Sequence, residues 1–217
     1  MIRYELLKIL AGMMKDELCI AAIGGMVEEW DNARTENRHA NLFLLAMGCH
    51  TPLALGVAVG LPHRTVVCLD SDGGVLMNLG SLATLGNRQP ENLKVFVFDN
   101  GVYESVGAPP TATSGRVDLA AMARGAGIAQ ARTVRAESEF MEAAKEALTT
   151  KGLRYTVVKT SPDVPTNLAR KKTDGLEDKY NFVRYVEETE GIAILRPRVP
   201  HWMSHAEDAA YFMRPER

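Results

Sequence analysis

The sequence predicts a doubly wound α/β fold, a mostly parallel sheet with helices on both faces. Three observations carry this. Strand and helix segments alternate along the chain, the strands are continuous apolar runs, and glycine- and aspartate-rich segments follow two of them. Continuous apolar runs imply burial on both faces, which parallel strands joined by crossover helices require. In such folds ligands bind beyond the carboxyl ends of the strands.

The elements follow in order. Residues 2–14 set Ile2, Leu6, Ile9, Leu10, Met13 and Met14 on one helical face. Glu17 to Ile23 runs apolar up to Gly24-Gly25 and reads as a buried strand. Residues 28–41 are polar, a short helix and a loop, and Asn41 to Ala46 is a second short apolar run. Pro52 to Gly60 reads as a helix of small residues. Thr65-Val66-Val67-Cys68-Leu69 is a β-branched strand ending in Asp70-Ser71-Asp72-Gly73-Gly74. A helix is expected around Asn78–Leu85 and a strand over Leu93–Phe98. Asp118 reads as the N-cap of a helix that stops at Gly125. Glu137–Leu148 is helical, with Phe140, Ala143, Ala144, Ala147 and Leu148 on its apolar face. Tyr155–Val158 is the last strand, Ser161–Leu176 a loop, and Lys179–Glu190 a terminal helix presenting Phe182, Val183 and Val186. Residues 1–196 thus make one domain, and 197–217 an irregular extension.

Bulk properties narrow the function. A length of 217 residues suits one domain with a substantial core. A net charge of −2 and a pI near 6.2 leave no electrostatic footprint for nucleic acid or an anionic membrane. No apolar run approaches the ~20 residues that cross a bilayer. Glu5, Lys8 and Lys15 break up the start, so it lacks the layout of a secretion signal. Cys19, Cys49 and Cys68 lie in apolar stretches without Cys-x-x-Cys spacing and read as buried thiols. These features point to a reducing cytoplasm.

Two segments stand out: Asp70-Ser71-Asp72-Gly73-Gly74-Val75-Leu76-Met77-Asn78-Leu79-Gly80, and Phe98-Asp99-Asn100-Gly101-Val102-Tyr103. Asp72 and Asn100 lie 28 positions apart, each just past a predicted strand. A strand–helix–strand unit of that length returns the chain to the same sheet edge, so both side-chain oxygens can converge. A carboxylate, an amide oxygen and a nearby carbonyl make the partial set that magnesium takes when phosphate oxygens complete its octahedron. Gly73 and Gly74 would let backbone N–H groups approach a diphosphate ahead of a helix N-terminus. Either segment alone is an ordinary turn. Only their conjunction, in strand context, points to a site.

The two segments resemble the diphosphate-binding motif of thiamine diphosphate enzymes, a Gly-Asp-Gly followed by a distant Asn. More closely, Asp72 to Gly107 is similar to the family of sulfopyruvate decarboxylase β subunits and phosphonopyruvate decarboxylases. The shared runs are Met77-Asn78-Leu79-Gly80, Pro90-Glu91-Asn92-Leu93 and Asp99-Asn100-Gly101, and the resemblance extends over about residues 3–190. It implies a thiamine diphosphate-binding fold with thiamine diphosphate and Mg2+ as cofactors. Asp72 and Asn100 would be side-chain metal ligands and Val102 a carbonyl ligand. Ser71, Gly73, Gly74, Tyr103 and Ser105 would surround the cofactor. Ser71 stands where the family has its first motif glycine, and its Cβ restricts φ there. Ala46-Met47-Gly48 matches the family's Ser-Met-Gly, which would put Met47 between the cofactor rings and the Leu45 carbonyl toward the aminopyrimidine. Packing is the plainer reading of Met47.

The resemblance also says what is missing. In this superfamily a glutamate from a different domain activates the cofactor, and the motif here arrives by residue 72, too early for such a domain upstream. The expected partner is therefore an α subunit carrying that glutamate, in a hetero-oligomer whose interface covers residues 45–50, 72–78 and 100–107. Glu104 and His50 are candidate catalytic groups, although a lone His at a helix start is more often a cap. The loop Arg170-Lys171-Lys172 could meet an anionic three-carbon 2-oxoacid, its plain reading being solvent exposure. Two other readings stay open. One is the β subunit of a 2-oxoacid:acceptor oxidoreductase, for which the cysteine spacing is wrong; the other is a non-catalytic module that kept the fold.

Overall fold

The computed structural model describes residues 1–172 and 174–195. The chain divides into two compact units, Met1–Phe182 and Val183–Arg217. The expected extension at 197–217 lies outside the described residues.

The first unit is built on six parallel strands: β1 (Leu18–Ala21), β2 (Asn41–Phe43), β3 (Val66–Ser71), β4 (Leu93–Asp99), β5 (Ala131–Val134) and β6 (Arg154–Lys159). Their order across the sheet is β2-β1-β3-β4-β6-β5. The helices are α1 (Arg3–Met13), α2 (Gly25–Ala33), α3 (His50–Gly60), α4 (Asp72–Met77), α5 (Gly80–Arg88), α6 (Leu119–Gly125), α7 (Glu137–Thr149) and α8 (Gly175–Glu190), the last running into the second unit. Contacts of α1 with α2 and α7 form one layer, and those of α5 with α3 and α6 form the other.

The apolar runs are buried on both sides, as parallel strands require. Cys19, Ala21, Val67, Leu69, Phe96, Phe98 and Val158 face Leu6, Leu7 and Leu10 of α1, Trp30 of α2 and Phe140 of α7. Phe140 meets Phe96 edge-on, with ring centroids 5.9 Å apart. Such aromatic pairs are worth about 0.5–1.5 kcal/mol beyond their area. The intervening residues Ile20, Val66, Cys68, Val95 and Val97 are equally buried.

Chain reversal between β1 and β3 creates the topological switch point. From β1 the chain steps outward to β2, then crosses to β3 on the other side of β1. The crevice at the carboxyl ends of β1 and β3 is where such sheets take ligands. Val66 to Ser71 pair in register with Leu93 to Phe98, so β3 and β4 finish on the same rim.

Several expectations shift. Strand β5, with its polar centre Arg132-Thr133, is absent from the sequence reading. The helix expected from Asn78 begins at Asp72, breaks at Asn78 and resumes at Gly80. Ser71 explains the early start: its hydroxyl accepts the Gly74 N–H at 3.0 Å, capping α4. Asp118 caps α6 as expected, accepting from the Ala121 N–H at 2.9 Å. Of the three thiols, Cys19 and Cys68 are buried but Cys49 is exposed. Its position just before α3, on the rim, overrides the apolar stretch that suggested burial. No described helix is long and apolar enough to cross a membrane. In the second unit, the Glu187 carboxylate accepts the Ile194 and Leu195 N–H groups at 2.6 Å each.

Candidate functional site

A cleft opens at the switch point. The turn after β1 (Ile23, Gly24, Gly25), the start of α4 (Ser71, Asp72, Gly73) and the loop after β4 (Asn100, Val102 to Ser105) line it, with Met47 and Arg3. Asp72, Asn100 and Val102 therefore share one cavity, from neighbouring loops on one rim. Asn100 is oriented from both ends. Its Oδ1 accepts the Val102 N–H at 3.1 Å, and its Nδ2 donates to Glu104 Oε2 at 3.2 Å.

Asp72 is held from behind by two threonines that the sequence reading missed. Thr111 Oγ1 donates to Asp72 Oδ2 at 2.6 Å, and Thr113 Oγ1 lies 3.0 Å from the same oxygen and 2.7 Å from Asp99 Oδ1. A hydroxyl has one proton to donate, so Thr113 serves only one carboxylate at a time. Lys159 pairs with Asp99 on its far side. Burial pushes the Asp72 carboxyl above its ordinary value, and the nearby Asp99 charge adds to this against the threonine hydroxyls and the Gly73 N–H. Nothing in an isolated Thr-x-Thr marks this role; only the return of residues 109–111 beside 101–103 brings it here, through the Thr111 N–H to the Gly101 carbonyl at 2.8 Å.

The two motif glycines serve different ends. A Cβ on Gly73 would lie 2.7 Å from Tyr103 Cε1 and 3.3 Å from Met47 Cε, so only glycine lets the ring and the thioether close over the helix start. A Cβ on Gly74 would lie 2.4 Å from Asp70 Oδ1. Gly74 does not line the cleft, and its N–H, expected to face a diphosphate, goes to Ser71 instead.

Other expected residues sit elsewhere. His50 opens α3 fully buried, its Nε2 3.0 Å from the Leu44 carbonyl and its Nδ1 3.3 Å from Asp70 Oδ1. His50 Nδ1 makes no hydrogen bond to Asp70 at that distance; Asp70 instead accepts from the Thr51 hydroxyl at 2.7 Å and the Thr51 N–H at 3.3 Å, which ties the start of α3 to β3 beneath the rim. His50 is thus a structural fastener in this arrangement and not a cleft residue. Leu45 is exposed on the rim, and Gly48 takes a φ of +77° beside Asn78. The Asn78 Nδ2 donates to the Gly48 carbonyl at 2.9 Å, linking the segment after β2 to the end of α4. Arg170, Lys171 and Lys172 do not line the cleft; Lys171 Nζ pairs with Asp178 at 2.6 Å and lies over the Phe43 ring.

The donor set fits a magnesium diphosphate better than a bare metal site. Among the described residues no group of three or more His, Cys, Asp or Glu side chains could hold a metal ion. One carboxylate, one amide oxygen and one carbonyl leave the rest of an octahedron to oxygens brought by the ligand.

Comparison with known proteins gives the family. Residues 24–159 match the family model for the thiamine pyrophosphate enzyme, C-terminal TPP binding domain. The chain is 32% identical to the sulfopyruvate decarboxylase subunit beta of Methanococcus maripaludis over 74% of this chain and 84% of that one. It is 34% identical to the phosphonopyruvate decarboxylase of Streptomyces viridochromogenes over 82% of its own length, spanning 44% of that longer protein. Among solved structures, the benzoylformate decarboxylase of Polynucleobacter necessarius shares the fold, with a TM-score of 0.64 at 20% identity, covering 75% of this chain and 34% of that one.

Proposed function

Because the chain belongs to the thiamine pyrophosphate enzymes, as their C-terminal cofactor-binding domain, we propose that it is the cofactor-binding subunit of a 2-oxoacid decarboxylase. The substrate class is a three-carbon 2-oxoacid carrying a sulfonate or phosphonate. The convergence of Asp72, Asn100 and Val102 in one cleft supports this reading most directly. Asp72 and Asn100 would hold Mg2+ by side-chain oxygens and Val102 by its carbonyl, while Ser71 and Gly73 border the diphosphate. Met47 and Tyr103, packed over Gly73, would shape the wall against the cofactor rings. When bound, thiamine diphosphate supplies the electron sink for the carbanion left by loss of CO2. The protein's part is to orient that group and exclude water around it.

Calorimetry with thiamine diphosphate, with and without Mg2+, tests the cofactor reading. CO2 release from sulfopyruvate against phosphonopyruvate then assigns the acid. Absence of magnesium-dependent binding even beside a copurified partner would leave only a non-catalytic module with this fold.

The glutamate that activates the cofactor is assigned to a separate α subunit. The rim segments named for that interface expose large apolar side chains: Leu45 at 43%, Met77 at 57% and Val106 at 70%. Exposed apolar surface beside a functional cleft favours an interface. Val106→Asp and Met77→Asp should each weaken association with the α subunit at least about tenfold, the scale of an interface anchor. Analytical ultracentrifugation of the mixed subunits reads this out, and wild-type association by both variants would move the interface elsewhere.

A further inference from the structure

Arg3 lies at the very start of α1, yet it is buried and reaches the cleft. Its Nε and Nη2 grip the Glu29 carboxylate of α2 at 2.8 and 2.7 Å. The same Nη2 stands 3.1 Å from Glu104 Oε2, the oxygen that accepts the Asn100 amide at 3.2 Å. Four side chains from three segments thus form one chain: Glu29, Arg3, Glu104, Asn100. Neighbouring Gly25 is built to let this chain pass. A Cβ there would lie 2.4 Å from Glu104 Oε1 and 2.9 Å from Arg3 Nη2.

We propose that Glu104, held by the buried Arg3–Glu29 pair, is the positioning residue that sets which end of the Asn100 amide faces the metal. This rests on the cofactor reading above. An amide has one oxygen and one nitrogen, and only the oxygen can ligate a hard cation. A carboxylate can only accept, so Glu104 fixes the Asn100 Nδ2 toward itself and leaves Oδ1 beside Val102, whose carbonyl is the third candidate ligand. Arg3 keeps Glu104 there by charge, and Glu29 keeps Arg3 there by a paired, buried grip. In this role Glu104 transfers no proton. Outer partners of this kind characteristically change metal affinity about 10–100-fold when removed.

The test is Mn2+ binding to the full chain in the presence of thiamine diphosphate, followed by electron paramagnetic resonance, together with whatever subunit copurifies. Glu104→Ala should weaken Mn2+ binding at least tenfold, whereas Glu104→Gln, which keeps one oxygen for the Asn100 amide but loses the charge that Arg3 holds, should recover only part of the loss. Gly25→Ala removes no charge but crowds the Glu104 carboxylate and Arg3 Nη2, and should weaken Mn2+ binding. Glu104 is partly exposed, so its variants should fold, as a thermal melt will verify. Mn2+ binding within twofold of wild type for both Glu104→Ala and Gly25→Ala overturns the proposal alone. Absence of Mn2+ binding by the wild type overturns it together with the cofactor reading.

Discussion

Asp72→Asn is expected to lower affinity for Mg2+–thiamine diphosphate by more than about 100-fold, since even outer partners of metal ligands cost 10–100-fold. The variant replaces a charged ligand with a neutral one of the same shape, leaving an oxygen for the Thr111 hydroxyl. A ligand at 100 times its dissociation constant stabilises by about 2.7 kcal/mol. For a chain of this size that raises the melting temperature by roughly 5–10 °C. Wild type should show this rise with both Mg2+ and thiamine diphosphate, and Asp72→Asn should not. An equal rise in both proteins would remove Asp72 from the metal.

The same carboxylate makes a pH prediction of definite sign. Burial raises the Asp72 pKa above 3.8 in the folded chain. Its ionised form is therefore penalised at pH values above the folded pKa, and the penalty fades as pH falls from there toward 3.8. Without metal, wild type should gain stability relative to Asp72→Asn across that window on acidification. With metal the trend reverses, because the cation must displace the proton, and affinity should weaken at a higher pH than for an ordinary carboxylate. Thermal melts of both proteins over a pH series, with and without Mg2+–thiamine diphosphate, separate the two effects. A wild-type-minus-variant difference that stays flat with pH in the absence of metal would falsify the buried-charge account.

The sheet and most of its helices were legible in the sequence because apolar runs and caps are local signals. β3 and β4 could be read from Thr65–Leu69 and Leu93–Phe98 alone, and α6 from Asp118 and Gly125. Strand β5 escaped because Arg132 and Thr133 are only half-buried at the sheet's edge, where polar side chains are tolerated. The cleft residues Asp72 and Asn100 were legible from their spacing past two strands, and Val102 by resemblance. The support behind them was not. Thr111 and Thr113 reach Asp72 from 39 and 41 positions away, and Arg3 reaches Glu104 across 101. Such partners are set by tertiary packing and leave no periodic trace. His50 failed in the opposite sense: its type suggested chemistry, while its full burial against Leu44 and Asp70 gives it a fastening role.

Lys94→Met should destabilise the fold by roughly 2–4 kcal/mol, because it removes three part-buried hydrogen bonds that each contribute about 0.5–1.5 kcal/mol, and it should leave the cleft intact. Lys94 interrupts an otherwise apolar strand, and its side chain is buried. Its ammonium donates to the carbonyls of Glu91, Thr150 and Gly152 at 3.0, 2.8 and 2.7 Å. Those acceptors come from the turn before β4 and the turn before β6, so one cation ties the amino-terminal ends of two neighbouring strands. Methionine fills a similar volume but donates nothing, which isolates the hydrogen bonds from packing. Burial, and after it the nearby Arg154 charge, pushes the Lys94 pKa down to about 8, with the Glu91 carboxylate opposing the shift. Between about 8 and 10.5 the unfolded chain then holds more protons than the folded one, so this group makes wild-type stability rise with pH through that window, and Lys94→Met removes the slope. Asp99, which precedes the cleft residue Asn100, lies at the other end of β4, about 16 Å away at the rise of a strand. The variant should therefore melt about 5–15 °C lower while the folded fraction binds Mg2+–thiamine diphosphate with wild-type affinity. A melting temperature within 2 °C of wild type would mean that water or backbone movement satisfies the three carbonyls without the ammonium; weakened cofactor binding would mean that the strand start and the cleft are coupled.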